Sequence, residues 1–153
     1  MNLRLKMNKQ ELKYWSLIVV LSYVPTVLIH LAFRSMWYKG VDSSTSATTI
    51  EMMITMFALP LYLGLMNYYL SNRIWKMTSA IFINGLIMIS CVWLSSYLHF
   101  KNWADSTGGW SNPDSETLEV MKFEKIVGTI VCIAVLVIIF FYKNQKQKTD
   151  LIP

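Results

Sequence analysis

Four long stretches without any Asp, Glu, Lys or Arg residue constrain what this chain can fold into. Uncharged runs of 20, 21, 24 and 17 residues lie between Lys13 and Arg34, Glu51 and Arg73, Lys76 and Lys101, and Lys125 and Lys143. A helix rises about 1.5 Å per residue, so about 20 residues cross a hydrocarbon core about 30 Å thick. Only 15% of the residues are charged, against about 25% in soluble domains. We predict an all-α integral membrane protein, a four-transmembrane-helix antiparallel bundle.

The spacing of these runs predicts a single membrane domain over residues 1–153. We expect helices at about 14–34, 50–72, 76–100 and 113–143, outer loops at about 35–49 and 101–112, and a cytoplasmic hairpin at about 72–76. Pro60 and Gly64 predict a kink and a close helix approach within the second helix. The first run is too long for a signal peptide, whose apolar region spans about 7 to 15 residues.

The distribution of charge predicts the orientation. The segments on the amino-terminal side of the membrane hold nine basic residues and two acidic ones, whereas those on the other side hold five basic and seven acidic ones. An excess of Lys and Arg marks the cytoplasmic side. We therefore expect a multi-pass protein of the bacterial inner membrane with both termini in the cytoplasm. This asymmetry, together with attraction to anionic membrane lipid, explains the net charge of +5 better than binding to nucleic acid does.

Motifs with a spacing imposed by catalysis or metal binding do not occur in the sequence. We searched for zinc sites, P-loops, nucleophile elbows and paired metal-binding histidines. Cys91 and Cys132 fall within the third and fourth runs, where a thiol behaves as a small apolar group. The sequence therefore predicts no catalytic activity, no metal and no cofactor.

Three polar side chains within or beside the second and third helices are candidates for interhelical or partner contacts. Thr48 and Glu51 have the spacing of a capping box at the start of the second helix. Capping is therefore one explanation for Glu51, and a functional role is the alternative. Asn67 and Asn84 should lie at similar depth on neighbouring helices, where a mutual hydrogen bond would act as a clamp. A substrate-binding role for the two amides is the alternative.

The two histidines, His30 and His99, should both approach the outer face. By helical rise we place His30 about 10 Å and His99 about 15 Å from the midplane. Bis-histidine haem is an alternative that this difference in depth disfavours. We expect a neutral His30 ring with one donor and one acceptor partner at the outer ends of neighbouring helices. Trp103 and Trp110, in the second outer loop, are further candidates for partner binding.

The segment "SSTSATTIEMMITMFALPLYLGLMNYYLSNRIWKM" joins a Ser/Thr-rich loop to an apolar helix and a basic hairpin. With the predicted topology, it resembles the immunity proteins that protect bacteria from pore-forming colicins of the A type. The resemblance spans residues 43–77 and has no invariant motif. It implies an inner-membrane protein that binds the helices of an inserting toxin and blocks its channel. The partners would then be membrane lipid and the toxin, with the oligomeric state left open.

Other classes of protein fit the same topology. A structural or accessory subunit of a larger membrane complex would depend on its partner subunits for accumulation. A haem or quinone redox protein would show colour or redox activity, and a phage-exclusion protein would block entry of DNA. The sequence does not choose among these classes by any motif.

Overall fold

The computed structural model describes residues 9–39, 41–71, 77–108 and 115–149. Within these ranges the chain forms α1 (Lys9–Trp37), α2 (Val41–Met53), a π-helical turn (Ile54–Ala58), α3 (Leu59–Ser71), α4 (Met77–Thr107) and α5 (Ser115–Thr149). The prediction of an all-helical chain is confirmed.

Four helical segments are long and apolar enough to cross a membrane, in agreement with the prediction from the uncharged runs. These spans are Lys13–Trp37, Ser46–Leu70, Phe82–Thr107 and Ser115–Lys143, the second formed by α2, the π-helical turn and α3 together. Large apolar side chains point outward along every span, for example Leu28, Leu65, Phe82 and Ile130. A surface of this kind is matched to lipid.

Contacts between distant residues show that the spans run antiparallel. His30 near the end of the first span contacts Glu51 near the start of the second, and His99 near the end of the third contacts Glu124 near the start of the fourth. We call this end of the bundle, where α1 and α4 finish and α2 and α5 begin, the His–Glu end. α3 and α4 also pack together, as expected for the two helices that flank the predicted hairpin. The hairpin residues 72–76 themselves lie outside the described residues.

The helices at the His–Glu end are longer than the sequence predicted. Residues 41–49 were expected in a loop but belong to α2, and residues 101–107 continue α4. Ser and Thr have low helix propensity, but packing of α2 against α1 compensates for it. Ala47, for example, is fully buried.

The irregularity predicted around Pro60 takes the form of the π-helical turn directly before it. Proline has no N–H to donate within a helix. The Leu59 N–H donates to the carbonyl of Ile54, five residues back, instead of following the four-residue pattern of an α-helix. Turns of this kind are frequent at functional sites. This one holds Thr55, whose side chain contacts α4.

The core lies along the bundle axis and closes tightly on α5. Its buried apolar side chains are Tyr14, Ile18, Leu59, Leu63, Met66, Met88, Cys91, Val92 and Cys132. A Cβ added at Gly128 would lie 2.6 Å from Val92 Cγ1 and 3.1 Å from the Thr55 carbonyl oxygen. At Gly64 a Cβ would overlap Val135, which confirms the predicted close approach. Both cysteines are buried and free.

Candidate functional site

Glu51 lies at the centre of a buried polar network at the His–Glu end. Its side chain is fully buried. Oε1 accepts hydrogen bonds from the Asn102 amide at 2.8 Å and from the His30 ring at 2.7 Å, while Oε2 accepts one from Trp37 Nε1 at 2.7 Å. The predicted capping role is wrong, because α2 begins at Val41 and Glu51 is well inside it. The carboxylate instead joins three helices.

His30 is held on both sides of its ring. Nδ1 lies 2.7 Å from Glu51 Oε1, and Nε2 lies 2.6 Å from Ser95 Oγ on α4. The backbone carbonyl of His30 accepts a further bond, of 3.0 Å, from Asn102 Nδ2. Only 2% of the residue is exposed, so it is more deeply buried than the sequence suggested. The expected pair of partners from neighbouring helices is present.

His99 and Glu124 extend the network to the fourth span. His99 Nδ1 lies 2.5 Å from Glu124 Oε1, and His99 Nε2 lies 4.0 Å from Glu51 Oε2. The rings of His99 and Trp37 are in contact, with centroids 5.8 Å apart. Both histidines therefore lie beside the one carboxylate of Glu51, His30 at Oε1 and His99 near Oε2.

Side chains from all four spans thus alternate between carboxylate and imidazole. We call the series Glu124, His99, Glu51, His30 and Ser95 the His–Glu string. Every step but one is a hydrogen bond, and the exception is the 4.0 Å separation between His99 and Glu51. Buried ionisable groups in a membrane bundle are costly and mark functional sites by default.

The bonds around His30 restrict where its protons lie. The Thr55 hydroxyl donates to the Glu51 carbonyl at 2.9 Å and lies 2.8 Å from Ser95 Oγ. A hydroxyl has only one proton to donate, and Thr55 donates its proton to the Glu51 carbonyl, so Ser95 must donate to Thr55. The Ser95 hydroxyl then acts as acceptor towards His30, and His30 Nε2 must donate to it. One further proton shared by His30 and Glu51 satisfies all these bonds. The pair is then neutral overall, which a low-dielectric site favours.

Glu51, His30 and Ser95 stand in the order of a carboxylate, imidazole and hydroxyl triad. In serine hydrolases that order activates the hydroxyl as a nucleophile beside free backbone donors. Ser95 is fully buried and lies in the middle of α4, where backbone N–H groups serve the helix itself. We therefore assign Ser95 to the hydrogen-bonded string and not to nucleophilic catalysis.

A partly open cavity of about 290 Å³ lies beside the string. Its lining includes Trp37, Phe100, Trp103 and Glu116, with His99 also reaching it. The rings of Phe100 and Trp103 stack at a centroid distance of 5.6 Å. The cavity therefore combines aromatic walls with an imidazole and a carboxylate. Trp103, a predicted candidate, belongs to this site.

The two predicted amides do not join it. Asn67 and Asn84 are buried, but neither side-chain atom of Asn67 has a hydrogen-bond partner among the described residues. The predicted hydrogen bond between them is therefore wrong. Similar depth in the bundle does not ensure that two side chains face each other. Trp110 lies outside the described residues.

Sequence reasoning missed Glu124, Ser95, Asn102 and the buried position of Trp37. Glu124 was counted among the outer-loop acids, although a signal for its burial exists. It lies four and eight residues before Gly128 and Cys132, and residues four apart share a helix face. All three are buried, so Glu124 lies on the same buried face of α5 as Gly128 and Cys132.

Within the described ranges, no group of three or more His, Cys, Asp or Glu side chains is arranged to hold a metal ion. Both ring nitrogens of His30 face protein groups. The geometry therefore gives this ring no free nitrogen for the haem iron of the bis-histidine alternative.

Compared with known proteins, the chain matches no family model, no curated protein and no solved structure.

Proposed function

We propose that this chain is a small membrane protein of the immunity type, which binds the helices of a pore-forming toxin within the bilayer. The resemblance of residues 43–77 to A-type colicin immunity proteins supports the class of partner. The observation that carries the proposal is the His–Glu end, where a buried network joins all four spans beside an aromatic-lined cavity.

Rigidity at this end suits recognition. Glu51, His30 and Asn102 join α1, α2 and α4 through hydrogen bonds of 2.7, 2.8 and 3.0 Å. A surface fixed before binding loses less conformational entropy when the partner arrives. Aromatic residues such as Trp103 and Trp37 are frequent anchors in binding sites.

The orientation follows from the charge asymmetry described above. With both termini in the cytoplasm of a bacterial cell, the His–Glu end lies at the outer face of the inner membrane. A toxin that inserts from outside would meet this end first. Reporter fusions after residue 39 and residue 108 are expected outside, and a fusion at the carboxyl end inside. An internal signal at residue 108 would reverse the orientation.

Protection of sensitive cells tests the function. Cells that express the chain are exposed to a panel of pore-forming colicins, and membrane potential is followed with a voltage-sensitive dye. We expect protection against one toxin without a change in its adsorption. Trp103→Ala should weaken protection, whereas Trp93→Ala, on the exposed face of the same helix, should not. Protection against no member of the panel, or equal protection by both variants, would contradict the proposal.

The cavity favours one second candidate, a site for a quinone head group. Its volume of about 290 Å³ is at the lower limit of small-molecule sites. His99 can offer a hydrogen bond to a carbonyl, and aromatic walls can cover an apolar ring. Quenching of tryptophan fluorescence by a short-chain ubiquinone, lost in Trp103→Ala, would favour this candidate over toxin binding.

A further inference from the structure

We propose that the His–Glu string is a proton-binding site that exchanges protons with solvent through the cavity beside His99. The site is a property of the bundle itself and does not depend on the identity of a toxin or other partner.

The first support is the alternation of groups. Each carboxylate in the string faces an imidazole, and each imidazole faces a carboxylate or hydroxyl, so a proton can occupy either member of a pair. Both carboxylates are fully buried and the imidazoles nearly so. Chains of this composition within membranes serve as proton relays.

The second support is the asymmetry between the two ends of the string. Glu116 lines the cavity and is exposed, and His99 lines it from the bundle side. Ser95, at the other end, is fully buried and meets Thr55. Protons therefore enter and leave at His99, and the string ends inside the bundle.

The third support is the gap within the string. His99 Nε2 and Glu51 Oε2 are 4.0 Å apart, which is too long for a direct hydrogen bond. A ring movement of His99 towards Glu51, or one bridging water from the cavity, closes the gap. Transfer across it moves one proton from an imidazole nitrogen to a carboxylate oxygen without change in total charge.

The charged surroundings of each imidazole are few. His30 faces Glu51 from α2, with Ser95 and Asn102 from α4. His99 faces Glu124 from α5, Glu51 from α2 and Trp37 from α1, and shares the cavity with Glu116. Three cations at this end contact other groups, since Arg34 and Lys101 pair with Asp105 and Lys125 lies over Trp93. The carboxylates of the string are therefore the charges that set imidazole protonation.

The experiment uses the full chain in lipid nanodiscs with ¹⁵N-labelled histidine. The protein has only two histidines, so His30→Gln identifies both rings in a spectrum that distinguishes imidazolium from either neutral tautomer. Solvent pH is varied through the range in which histidine titrates. We expect both rings to change protonation state, and Glu124→Gln, which removes the carboxylate facing His99, to displace the His99 transition. The His30 transition should move less, through Glu51.

A control and a second variant keep the test independent of folding. Asp105→Asn removes a carboxylate at the same end outside the string and should leave both transitions unchanged. Val120→Trp fills the cavity and should slow exchange of the His99 ring N–H with deuterated solvent without moving the transitions. A His99 ring that keeps one protonation state throughout, or a transition that Glu124→Gln does not move, would overturn the proposal. Unchanged exchange in a folded Val120→Trp protein would overturn the route through the cavity.

Discussion

The two ends of the bundle differ in how fully their buried polar groups are hydrogen-bonded. At the His–Glu end, Glu51 receives three hydrogen bonds and each histidine has a carboxylate partner. At the opposite end, which we call the Asn end, Tyr14 Oη, both polar atoms of Asn67 and Asn84 Oδ1 are buried with no partner among the described residues. A buried group without a partner costs about 1–3 kcal/mol. At the His–Glu end Glu124 Oε2 also lacks a partner among the described residues, so unpartnered polar atoms occur at both ends but are more numerous at the Asn end.

This comparison predicts a large loss for Glu51→Leu. The change leaves the His30 ring, the Trp37 indole N–H and the Asn102 amide without their acceptor. We expect a loss of about 3–5 kcal/mol in the free energy of unfolding, measured by titration with sodium dodecyl sulfate in mixed micelles. Glu51→Gln, which keeps two polar atoms, should lose less. A Glu51→Leu protein as stable as the wild type would remove the distinction between the two ends.

His30 gives a smaller effect at the same end. His30→Leu removes one partner of Glu51 and one of the two partners of Ser95, and we expect a loss of about 2 kcal/mol with the protein still folded. His30→Gln retains a donor and an acceptor and should lose less than about 1 kcal/mol. The same unfolding titration separates the two variants. Equal losses would show that the volume of the ring matters more than its hydrogen bonds.

At the Asn end, replacing a buried polar side chain by leucine should raise the free energy of unfolding instead of lowering it. Asn67→Leu replaces an amide without a partner by an apolar group of similar size, and we expect a gain of about 1 kcal/mol in the same titration. The double variant with Asn84→Leu should show additive effects, because the two amides share no hydrogen bond. A coupling between the two changes would restore the clamp predicted from the sequence.

The smallest effect is expected at the surface of the His–Glu end. Asp105 accepts hydrogen bonds from Arg34 and Lys101, both at 3.2 Å, and the arginine is well exposed. Asp105→Asn should change the free energy of unfolding by less than about 1 kcal/mol, and less still at high salt. A loss comparable to that of Glu51→Leu would mean that surface pairing, and not the buried network, holds this end together.

The four spans were predictable because lipid excludes charge, and charge-free length is visible in a sequence. The site was predictable only in part. His30 was recognised as a polar group needing two partners, but Glu51 also fitted a local capping pattern. Only the start of α2 at Val41 and its contact with α1 show which description applies. Asn67 and Asn84 could be assigned a depth but not a direction, because the rotation of a helix depends on its packing. For the π-helical turn, Ile54–Ala58, the signal in the sequence was the nearby Pro60, which predicts an irregularity but not its geometry.

That turn sets the rotational register of the whole site. An α-helix advances about 100° per residue, and a π-helical turn accommodates one additional residue within an otherwise α-helical span. If the same residues of this turn, Ile54–Ala58, ran as a regular α-helix with none deleted, α2 would rotate by about 100° relative to α3. Glu51 would then face lipid instead of His30, with every residue of α3 still in place. The meeting of the two histidines at one carboxylate thus depends on the π-helical geometry of this turn, which absorbs one residue without rotating α2 away from α1.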